Sequence, residues 1–380
     1  MTAGGGGGES RPVLSGPSVV LAGGGTAGHT SPLIATAHEL AEQHPGIRIT
    51  ALGTERGLET TVVPAAGLPL ELIPPVPMPR KPTPDLFKVP GRLRASVKAA
   101  EKVLREARAG VVLGFGGYVS TPAYLAARRL KLPIVVHEQN VLPGLANKLA
   151  ARFTDHVYTS FAETELPHAS WIGLPMRRAI TELDRAAERA SARAEFGLAA
   201  DRPVLLVSGG SQGAAQINTA VEGARDDLLA SGIQILHVLG PRNFGAETTY
   251  THPDNGAVYR PLAYVERMER AYAAADLMLG RCGASTVLET AVVGLPAVFV
   301  PYPHGNGEQR RNARLVVEAG GGQLVEDADC TPELVAARIP ELVDEPGRLA
   351  GMSVALRGVA RGDAASTLAR RTLEVARAWA

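Results

Sequence analysis

Cysteine, aromatic residues and lysine are scarce in this chain of 380 residues. The two cysteines, Cys282 and Cys330, are too few for a disulfide framework, which is typical of a reducing compartment. No apolar run reaches the roughly 18 residues that a membrane-spanning helix needs. Residues 1–17 contain a glycine run and no signal-like apolar stretch, so they predict a disordered tail. We expect a cytosolic protein, or one at most peripheral to a membrane.

Charge is nearly balanced overall but uneven along the chain. The formal net charge of +1 is not the basic excess typical of nucleic-acid-binding proteins, so no nucleic-acid partner is expected. All six lysines, however, lie between Lys81 and Lys148, and the stretch from Arg80 to Arg108 holds nine basic residues against three acidic ones. This local excess fits either a surface that attracts anions or an ordinary solvated helix face.

Short apolar runs alternate with helix-length amphipathic segments, which is the pattern of parallel βαβ units. The length favours two domains, and the Gly- and Pro-containing segment from Gly173 to Arg177 is the expected boundary. We predict an α/β protein with domains over 18–172 and 173–360, followed by 361–380 with an amphipathic helix from about Ala364. The predicted strands are 18–22, 48–52, 68–73, 111–114, 134–137 and 156–160 in the first domain, and 204–208, 233–238, 257–260, 276–279 and 297–300 in the second.

A glycine turn follows the first predicted strand of each domain, at Gly23–Gly28 and at Ser208–Gly213. Glycine lets backbone N–H groups point outward, and a helix that starts there adds the positive end of its dipole, so each turn predicts an anion site. Two such sites favour an enzyme that handles a diphosphate between its domains. Thr30 or Ser31 is the expected N-cap of the first helix, with Pro32 in its first turn.

The first turn also matches the dinucleotide fingerprint Gly-x-Gly-x-x-Gly. That fingerprint needs an acidic residue at the end of the second strand, whereas Thr54 ends this strand and Glu55 lies just beyond, so a nicotinamide cofactor is disfavoured. His29 follows the turn. It is either a cleft residue beside a bound phosphate or a surface or capping histidine.

Two further segments of the first domain follow strands. The segment Gly114–Tyr118 is a third run of exposed N–H groups or a packing turn. The segment His137–Asn140 lies at the carboxyl end of a strand, where ligands bind to open parallel sheets. Its four polar side chains predict ligand contacts, with a structural hydrogen-bond network as the alternative.

In the second domain, the segment Arg281–Glu289 runs from a strand end into a helix. Its first N–H groups suit a phosphate, and Glu289 suits the hydroxyls of a ribose. The segment from Tyr302 to Asn312 follows the next strand and suits sugar hydroxyls. Asp327 and Asp329 are spaced like a metal motif, but we expect an acidic solvent loop away from the cleft. No His or Cys cluster has zinc spacing, and neither a metal nor a cofactor is predicted.

Six motifs in this order resemble the MurG-type N-acetylglucosaminyltransferase family, over about residues 18–360. The motifs are GGTAGH at 24–29, GFGGY at 114–118, HEQN at 137–140, GLPMR at 173–177, GGSQG at 209–213 and RCGA at 281–284. The resemblance implies a GT-B fold, in which two Rossmann-like parallel-sheet domains face each other across a cleft, and a last helix that packs back on the first domain. It also implies a metal-independent, inverting transfer of GlcNAc from UDP-GlcNAc to the C4 hydroxyl of the MurNAc of lipid I, which gives lipid II.

The resemblance assigns residues to the donor and to the acceptor. UDP-GlcNAc is expected to contact Thr26, Ala27, Gly28, Asn140, Arg177, Ser211, Gln212, Val265, Gly283, Ala284, Ser285, Thr286, Glu289, Glu308 and Gln309. The acceptor side is expected to comprise Gly25, His29, Gly116, Gly117, Tyr118 and Asn140. His29 is the expected general base, because histidine titrates nearest neutral pH. Cys282 and Glu308 depart from the family pattern, which often has Ser and Gln there.

The basic stretch fits the same function, because the polyprenyl chain of lipid I cannot leave the bilayer. Apolar Met78, Val89 and Leu93 lie in this stretch together with Arg94 and the six residues of the predicted membrane patch, which are Arg80, Lys81, Leu86, Phe87, Lys88 and Arg92. This combination predicts shallow insertion into an anionic membrane surface, at the cytoplasmic face of the cell membrane.

Three alternatives share parts of this pattern. Another GT-B glycosyltransferase would use a different lipid or natural-product acceptor. A UDP-GlcNAc 2-epimerase would form UDP without any lipid. A nucleotide-sugar-binding protein without turnover would release no UDP.

Overall fold

The computed structural model describes residues 17–55, 57–76, 88–210, 213–245 and 247–379. Within these residues the chain forms two seven-stranded sheets, and their strands run parallel except at one edge, where β10 is antiparallel to β11. The strands of the first sheet are β1 (Ser18–Ala22), β2 (Arg48–Gly53), β3 (Leu70–Leu72), β4 (Val111–Gly114), β5 (Ile134–Glu138), β6 (Val157–Thr159) and β7 (Ala169–Trp171). Those of the second are β8 (Val204–Ser208), β9 (Gln234–Val238), β10 (Tyr250–Thr251), β11 (Val258–Leu262), β12 (Leu277–Gly280), β13 (Ala297–Phe299) and β14 (Gly322–Leu324).

Helices cover the faces of both sheets, as parallel sheets require. In the first half they are α1 (Ala27–Gln43), α2 (Glu59–Ala65), α3 (Val89–Glu106), α4 (Ser120–Arg129) and α5 (Leu145–Ala150). In the second half they are α6 (Arg178–Thr181), α7 (Arg185–Phe196), α8 (Ala215–Ala230), α9 (Met268–Ala274), α10 (Ala284–Val293), α11 (Glu308–Glu318), α12 (Pro332–Asp344), α13 (Arg348–Ala355) and α14 (Ala364–Trp379).

The strand orders are β3-β2-β1-β4-β5-β6-β7 and β10-β11-β9-β8-β12-β13-β14. In each sheet the first strand of the domain lies near the centre, and the order reverses beside it. The carboxyl ends of the central strands therefore open into a crevice, which is where α/β sheets bind ligands. The predicted fold class, two Rossmann-like parallel-sheet domains, is confirmed.

Each predicted strand is present, with ends that differ by at most two residues. The sequence analysis missed β7, β10 and β14. These three strands have only two or three residues each, and each lies at an edge of its sheet, where few neighbours require an apolar pattern.

The predicted start of the first helix is wrong. The helix begins at Ala27 with Thr26 as N-cap, and the backbone amides of His29 and Thr30 both donate to the Thr26 carbonyl. Pro32 thus lies inside the helix, one turn beyond the position where it favours a helix start. The consequence for the site is that His29 belongs to the first turn of α1.

The last helix, α14, packs on the first domain. Leu368, Ala369 and Leu373 are buried in one cluster with residues of α1 and β4. The chain therefore crosses between the domains twice. The crossings touch at Gly173, whose φ is +96° and where an added Cβ would lie 2.9 Å from the Cβ of Arg361. A larger residue at position 173 would push the two crossings apart.

Candidate active site

A cavity of about 1110 Å³ lies between the carboxyl ends of the two sheets. Fourteen of the predicted site residues line it: Thr26, Ala27, Gly28, His29, Gly116, Gly117, Tyr118, Asn140, Gly283, Ala284, Ser285, Thr286, Glu308 and Gln309. Both domains thus contribute to one site. Gly25, Arg177, Val265 and Glu289 do not line the cavity, and Ser211 and Gln212 lie outside the described residues.

His29 projects from the first turn of α1 and is half-buried. Its Nδ1 lies 2.9 Å from Oε1 of Gln139, at the end of β5. The glycine turn after β4 packs against the ring, since a Cβ added at Gly117, whose φ is +80°, would lie 3.4 Å from Cδ2 of His29. The same Cβ would lie 2.7 Å from the Gly24 carbonyl oxygen, so only glycine fits there. The two glycine turns of the first domain therefore contact each other beside the His29 ring.

The polar run His137–Asn140 lies at the end of β5, and its last three residues line the cavity. His137, Glu138 and Gln139 are almost completely buried, and β5 itself continues to Glu138. Glu138 accepts hydrogen bonds from the backbone amides of Asn140 and Gly144. The run thus forms a structural network, because polar groups in an interior strand must find partners within the protein, and its ligand contacts stay a prediction.

His137 is kept neutral in this network. Burial lowers its pKa to about 4, and its Nε2 lies 2.9 Å from the carbonyl oxygen of Gly173. A carbonyl only accepts, so Nε2 of His137 carries the proton.

One amide of the glycine turn after β1, which the sequence predicts to be an anion site, is already used within the protein. The amide of Gly25 donates to a carboxylate oxygen of Glu59 at 2.8 Å, and the amide of Thr54 donates to the other oxygen at 3.0 Å. Glu59 is buried, so its negative charge lies directly beside the turn and disfavours a phosphate at Gly25. The dinucleotide fingerprint directs attention to Glu55, whereas the carboxylate that binds the turn belongs to Glu59, the first residue of α2.

The start of α10, in the second domain, suits an anion better. Ala284, Ser285 and Thr286 form its first turn and line the cavity. The hydroxyl of Ser285 is buried, and no residue in the described part of the chain hydrogen-bonds to it. A buried hydroxyl without a partner at the positive end of a helix fits a site whose missing partner is a ligand oxygen.

Arg281 adds positive charge to the same wall of the cavity. Its guanidinium donates to the carbonyls of Val300 and Pro301 and lies 2.5 Å from a carboxylate oxygen of Asp327. The prediction of a solvent loop away from the cleft is therefore wrong for Asp327, which follows β14 at the same edge of the sheet and is half-buried; Asp329 is exposed. No motif in the sequence indicates this ion pair, because Arg281 and Asp327 follow different strands.

The predicted ribose residue Glu289 faces a different set of groups. It accepts a hydrogen bond from the hydroxyl of Tyr272 at 2.8 Å, and burial raises its pKa. Arg177 lies near it and pairs with Glu269 at 3.3 Å. Val265 packs in the core of the second domain. Glu289 and Arg177 therefore belong to a polar cluster with Tyr272 and Glu269, and the predicted roles of Glu289, Arg177 and Val265 stay predictions.

Residues after β13 join the two domains across the cavity. Asn312 is buried, accepts a hydrogen bond from the amide of Val141 and donates to Oδ1 of Asn140 at 3.2 Å. Gln309 uses its side-chain oxygen to accept from the amide of Tyr302. Burial, followed by the charge of Glu138, raises the pKa of Glu308.

Four residues of the predicted membrane patch, Arg80, Lys81, Leu86 and Phe87, lie outside the described residues, as does Met78. Lys88 is exposed and Arg92 is half-buried at the start of α3. Val89 and Leu93, which were expected to face a membrane, line the cavity instead. The reason is that α3 is amphipathic and turns this face toward the cleft.

In the described ranges, no group of three His, Cys, Asp or Glu side chains is placed to hold a metal ion. Among the helices of those same ranges, none has the length and apolar character needed to cross a membrane.

Two parallel sheets that face each other across a cleft, with a histidine on one wall and a helix start on the other, have the architecture of a two-domain glycosyltransferase. The glycosyltransferase family 28 N-terminal domain matches residues 19–159, and the family 28 C-terminal domain matches residues 204–368. The chain belongs to glycosyltransferase family 28.

Similar proteins support this assignment over nearly the whole chain. A UDP-N-acetylglucosamine--N-acetylmuramyl-(pentapeptide) pyrophosphoryl-undecaprenol N-acetylglucosamine transferase of Nocardioides sp. is 56% identical, with 94% of this chain and 98% of that protein covered. The protein of the same name from Cutibacterium acnes is 56% identical over 94% of this chain and 97% of its own length. The crystal structure of Acinetobacter baumannii MurG superposes with a TM-score of 0.74 at 28% identity, covering 94% of this chain and 99% of that one.

Proposed function

We propose that this protein transfers GlcNAc from UDP-GlcNAc to the C4 hydroxyl of the MurNAc of lipid I, giving lipid II for peptidoglycan synthesis. The names of the relatives support the donor and the acceptor. The observation that carries the proposal is the pairing, in one cavity, of His29 with the unpartnered buried hydroxyl of Ser285 at the start of α10.

The donor binds mainly to the second domain. Its diphosphate lies at the start of α10, where Ser285 and the amides of the first turn donate to phosphate oxygens. The sugar extends toward Glu308 and Gln309, and Arg177 and Glu289 bind the nucleoside beside the cavity. We expect no metal or cofactor, because the helix dipole and Arg281 supply positive charge for the departing UDP.

His29 acts as the general base. It takes the proton from the acceptor C4 hydroxyl while that oxygen forms a bond to the anomeric carbon of GlcNAc. The bond from this carbon to the UDP oxygen breaks at the same time, and UDP leaves with the electron pair. Attack on the face opposite UDP inverts the anomeric centre. The acceptor therefore occupies the first-domain side, along Gly116, Gly117 and Tyr118.

The lipid end of the acceptor explains the apolar part of the cavity. The residues Val76, Val89, Leu93, Leu142, Leu145 and Leu149 line this part, and all of them belong to the first domain. We infer that this side faces the cytoplasmic surface of the membrane, with the basic stretch from Arg80 to Arg94 drawn to anionic lipid and released at high salt.

Transfer of labelled GlcNAc to a lipid I analogue tests the function. The expected result is labelled lipid II from UDP-GlcNAc, at the same rate with and without EDTA, and little product from a TDP-sugar. UDP formed without any lipid would support a 2-epimerase, and transfer only to another acceptor would support a different glycosyltransferase. No UDP release with any acceptor would leave a binding protein.

A further inference from the structure

Four groups form a continuous hydrogen-bonded chain from the cavity to the crossing between the domains. Nδ1 of His29 lies 2.9 Å from Oε1 of Gln139, and Nε2 of Gln139 lies 3.0 Å from Nδ1 of His137. Nε2 of His137 lies 2.9 Å from the carbonyl oxygen of Gly173. Gln139 and His137 are almost completely buried, so water does not compete for the two contacts of His137.

The direction of every bond in this chain is determined by its last member. The Gly173 carbonyl only accepts, so Nε2 of His137 donates and its Nδ1 is an acceptor. Gln139 must then present its amide nitrogen to His137, where it also donates to the carbonyl oxygen of residue 137 at 2.9 Å. The side-chain oxygen of Gln139 consequently faces His29 and can only accept.

We infer that Gln139 is a positioning residue that holds His29 in the tautomer with the proton on Nδ1, which leaves Nε2 as the basic nitrogen. The catalytic consequence rests on the proposed function, whereas the tautomer itself does not. A base must offer a lone pair to the hydroxyl that it deprotonates, so the other tautomer would present an N–H and be inactive at this position. The hydrogen-bonded chain ends at Gly173, which lies where the two domains are joined. The orientation of the base therefore also depends on this junction.

Other charged groups around His29 do not replace this role. Glu308 comes from α11 of the other domain and interacts electrostatically with His29, while Glu138 and Arg281 line the same cavity. Glu138 is already held by Asn147 and backbone amides, and Arg281 by Asp327 and carbonyls. Gln139 is the neutral group hydrogen-bonded to Nδ1, and a neutral acceptor selects a tautomer without adding charge.

The tautomer can be measured directly on the full chain. Nitrogen-15 labelling of histidine distinguishes protonated from unprotonated ring nitrogens, and a His29→Asn variant identifies the His29 signals. At a pH where the ring is neutral, we expect Nδ1 of His29 to be protonated in the wild type and a mixture of tautomers in Gln139→Leu. A wild-type His29 with its proton on Nε2 would overturn the inference, whatever the enzyme acts on.

Activity supplies the second readout. Gln139→Leu should lower kcat by about 10–100-fold with little change in the KM for UDP-GlcNAc, as is typical when the partner that orients a functional histidine is lost. Gln139→Glu keeps an acceptor for His29 and adds a negative charge, so the acidic limb of the pH–rate profile should move upward by about 1–3 pH units. An unmoved profile in Gln139→Glu would contradict the inference.

A matched control separates this effect from lost stability. Gln234 in the second domain is also buried, and its amide donates to and accepts from the backbone of Ala199. Gln234→Leu removes a comparable pair of buried hydrogen bonds without contact to His29. It should leave the His29 tautomer and the pH–rate profile unchanged, and a change in either would show that the Gln139→Leu result reports general loosening of the fold.

Discussion

The two domains share one topology and use it for different chemistry. In both sheets the first strand of the domain lies near the centre and leads into a glycine turn. In the first domain the buried carboxylate of Glu59 occupies an amide of that turn, and the helix that follows presents His29. In the second domain the start of α10 presents a buried Ser285 hydroxyl without a partner, and Arg281 lies nearby. On the proposed mechanism, the first domain supplies the base and the second domain supplies the anion site.

This difference shows that an anion site cannot be inferred from a glycine turn alone. Backbone amides attract phosphate only while no internal acceptor uses them, and the fold of the first domain supplies such an acceptor. Substituting one group in each domain tests this difference.

Removing the base should have the largest effect. His29→Ala is expected to lower kcat by about 10²–10⁴-fold and to leave UDP affinity nearly unchanged, because general-base catalysis contributes that much and the donor binds to the other domain. Steady-state kinetics and UDP calorimetry measure the two quantities. His38→Ala, an exposed histidine on the same helix, is the control. A His29→Ala enzyme with normal kcat would reduce His29 to a structural residue.

Each domain also buries one neutral histidine, which makes both domains sensitive to acid. Burial lowers the pKa of His137 and of His237 to about 4. The unfolded chain binds these protons from about pH 6.5 downward, so stability is complete above that pH and is lost as the pH falls toward 4. The free energy of unfolding should fall by about 3 kcal/mol per histidine across that range.

Denaturant unfolding at a series of pH values measures this loss. His237→Gln removes one titrating group and should flatten the pH dependence of the transition that reports on the second domain. A wild-type stability that does not change between pH 7 and pH 4.5 would contradict the burial of neutral imidazoles.

Removing the Ser285 hydroxyl should weaken donor binding. Ser285→Ala is expected to raise the KM for UDP-GlcNAc by about 10–100-fold with a smaller change in kcat, since a hydrogen bond to a charged group contributes about 1.5–3 kcal/mol. Thr290→Val is a control on the same helix, because that hydroxyl already donates to α10 carbonyls. An unchanged KM in Ser285→Ala would place the diphosphate elsewhere.

The smallest expected effect is at the first glycine turn. Glu59→Gln keeps one acceptor oxygen but removes the charge, so we expect about 1–2 kcal/mol lower stability of the first domain. If the diphosphate binds at the start of α10, as proposed, UDP binding should not change. Calorimetry that shows tighter UDP binding in Glu59→Gln would mean that the turn is a donor anion site after all.

Most of the strands were predictable because they are apolar runs, many of them bounded by glycine or proline. β1, β4 and β8 have the predicted bounds. Helix starts were less predictable. Thr30 followed by Pro32 has the composition of an N-cap, yet the chain begins the helix one turn earlier, where Thr26 can accept from two amides.

The residues that line the cavity were predictable from short motifs at strand ends, because topology brings the carboxyl ends of parallel strands together. The hydrogen-bond and ion-pair partners of these residues could not be predicted from the sequence. Glu59 meets Gly25 across 34 residues of sequence, and Asp327 meets Arg281 from a different strand end. Only the folded chain shows these two contacts, and the first of them takes the Gly25 amide away from any bound anion.

A crystal structure of the complex with UDP-GlcNAc would test the division of roles most directly. The expected result places phosphate oxygens within hydrogen-bond distance of Ser285 Oγ and the first amides of α10, with the anomeric carbon of GlcNAc turned toward Nε2 of His29. A diphosphate bound instead at the amides of Thr26, Ala27 and Gly28, beside Glu59, would contradict the assignment of the donor site to the second domain.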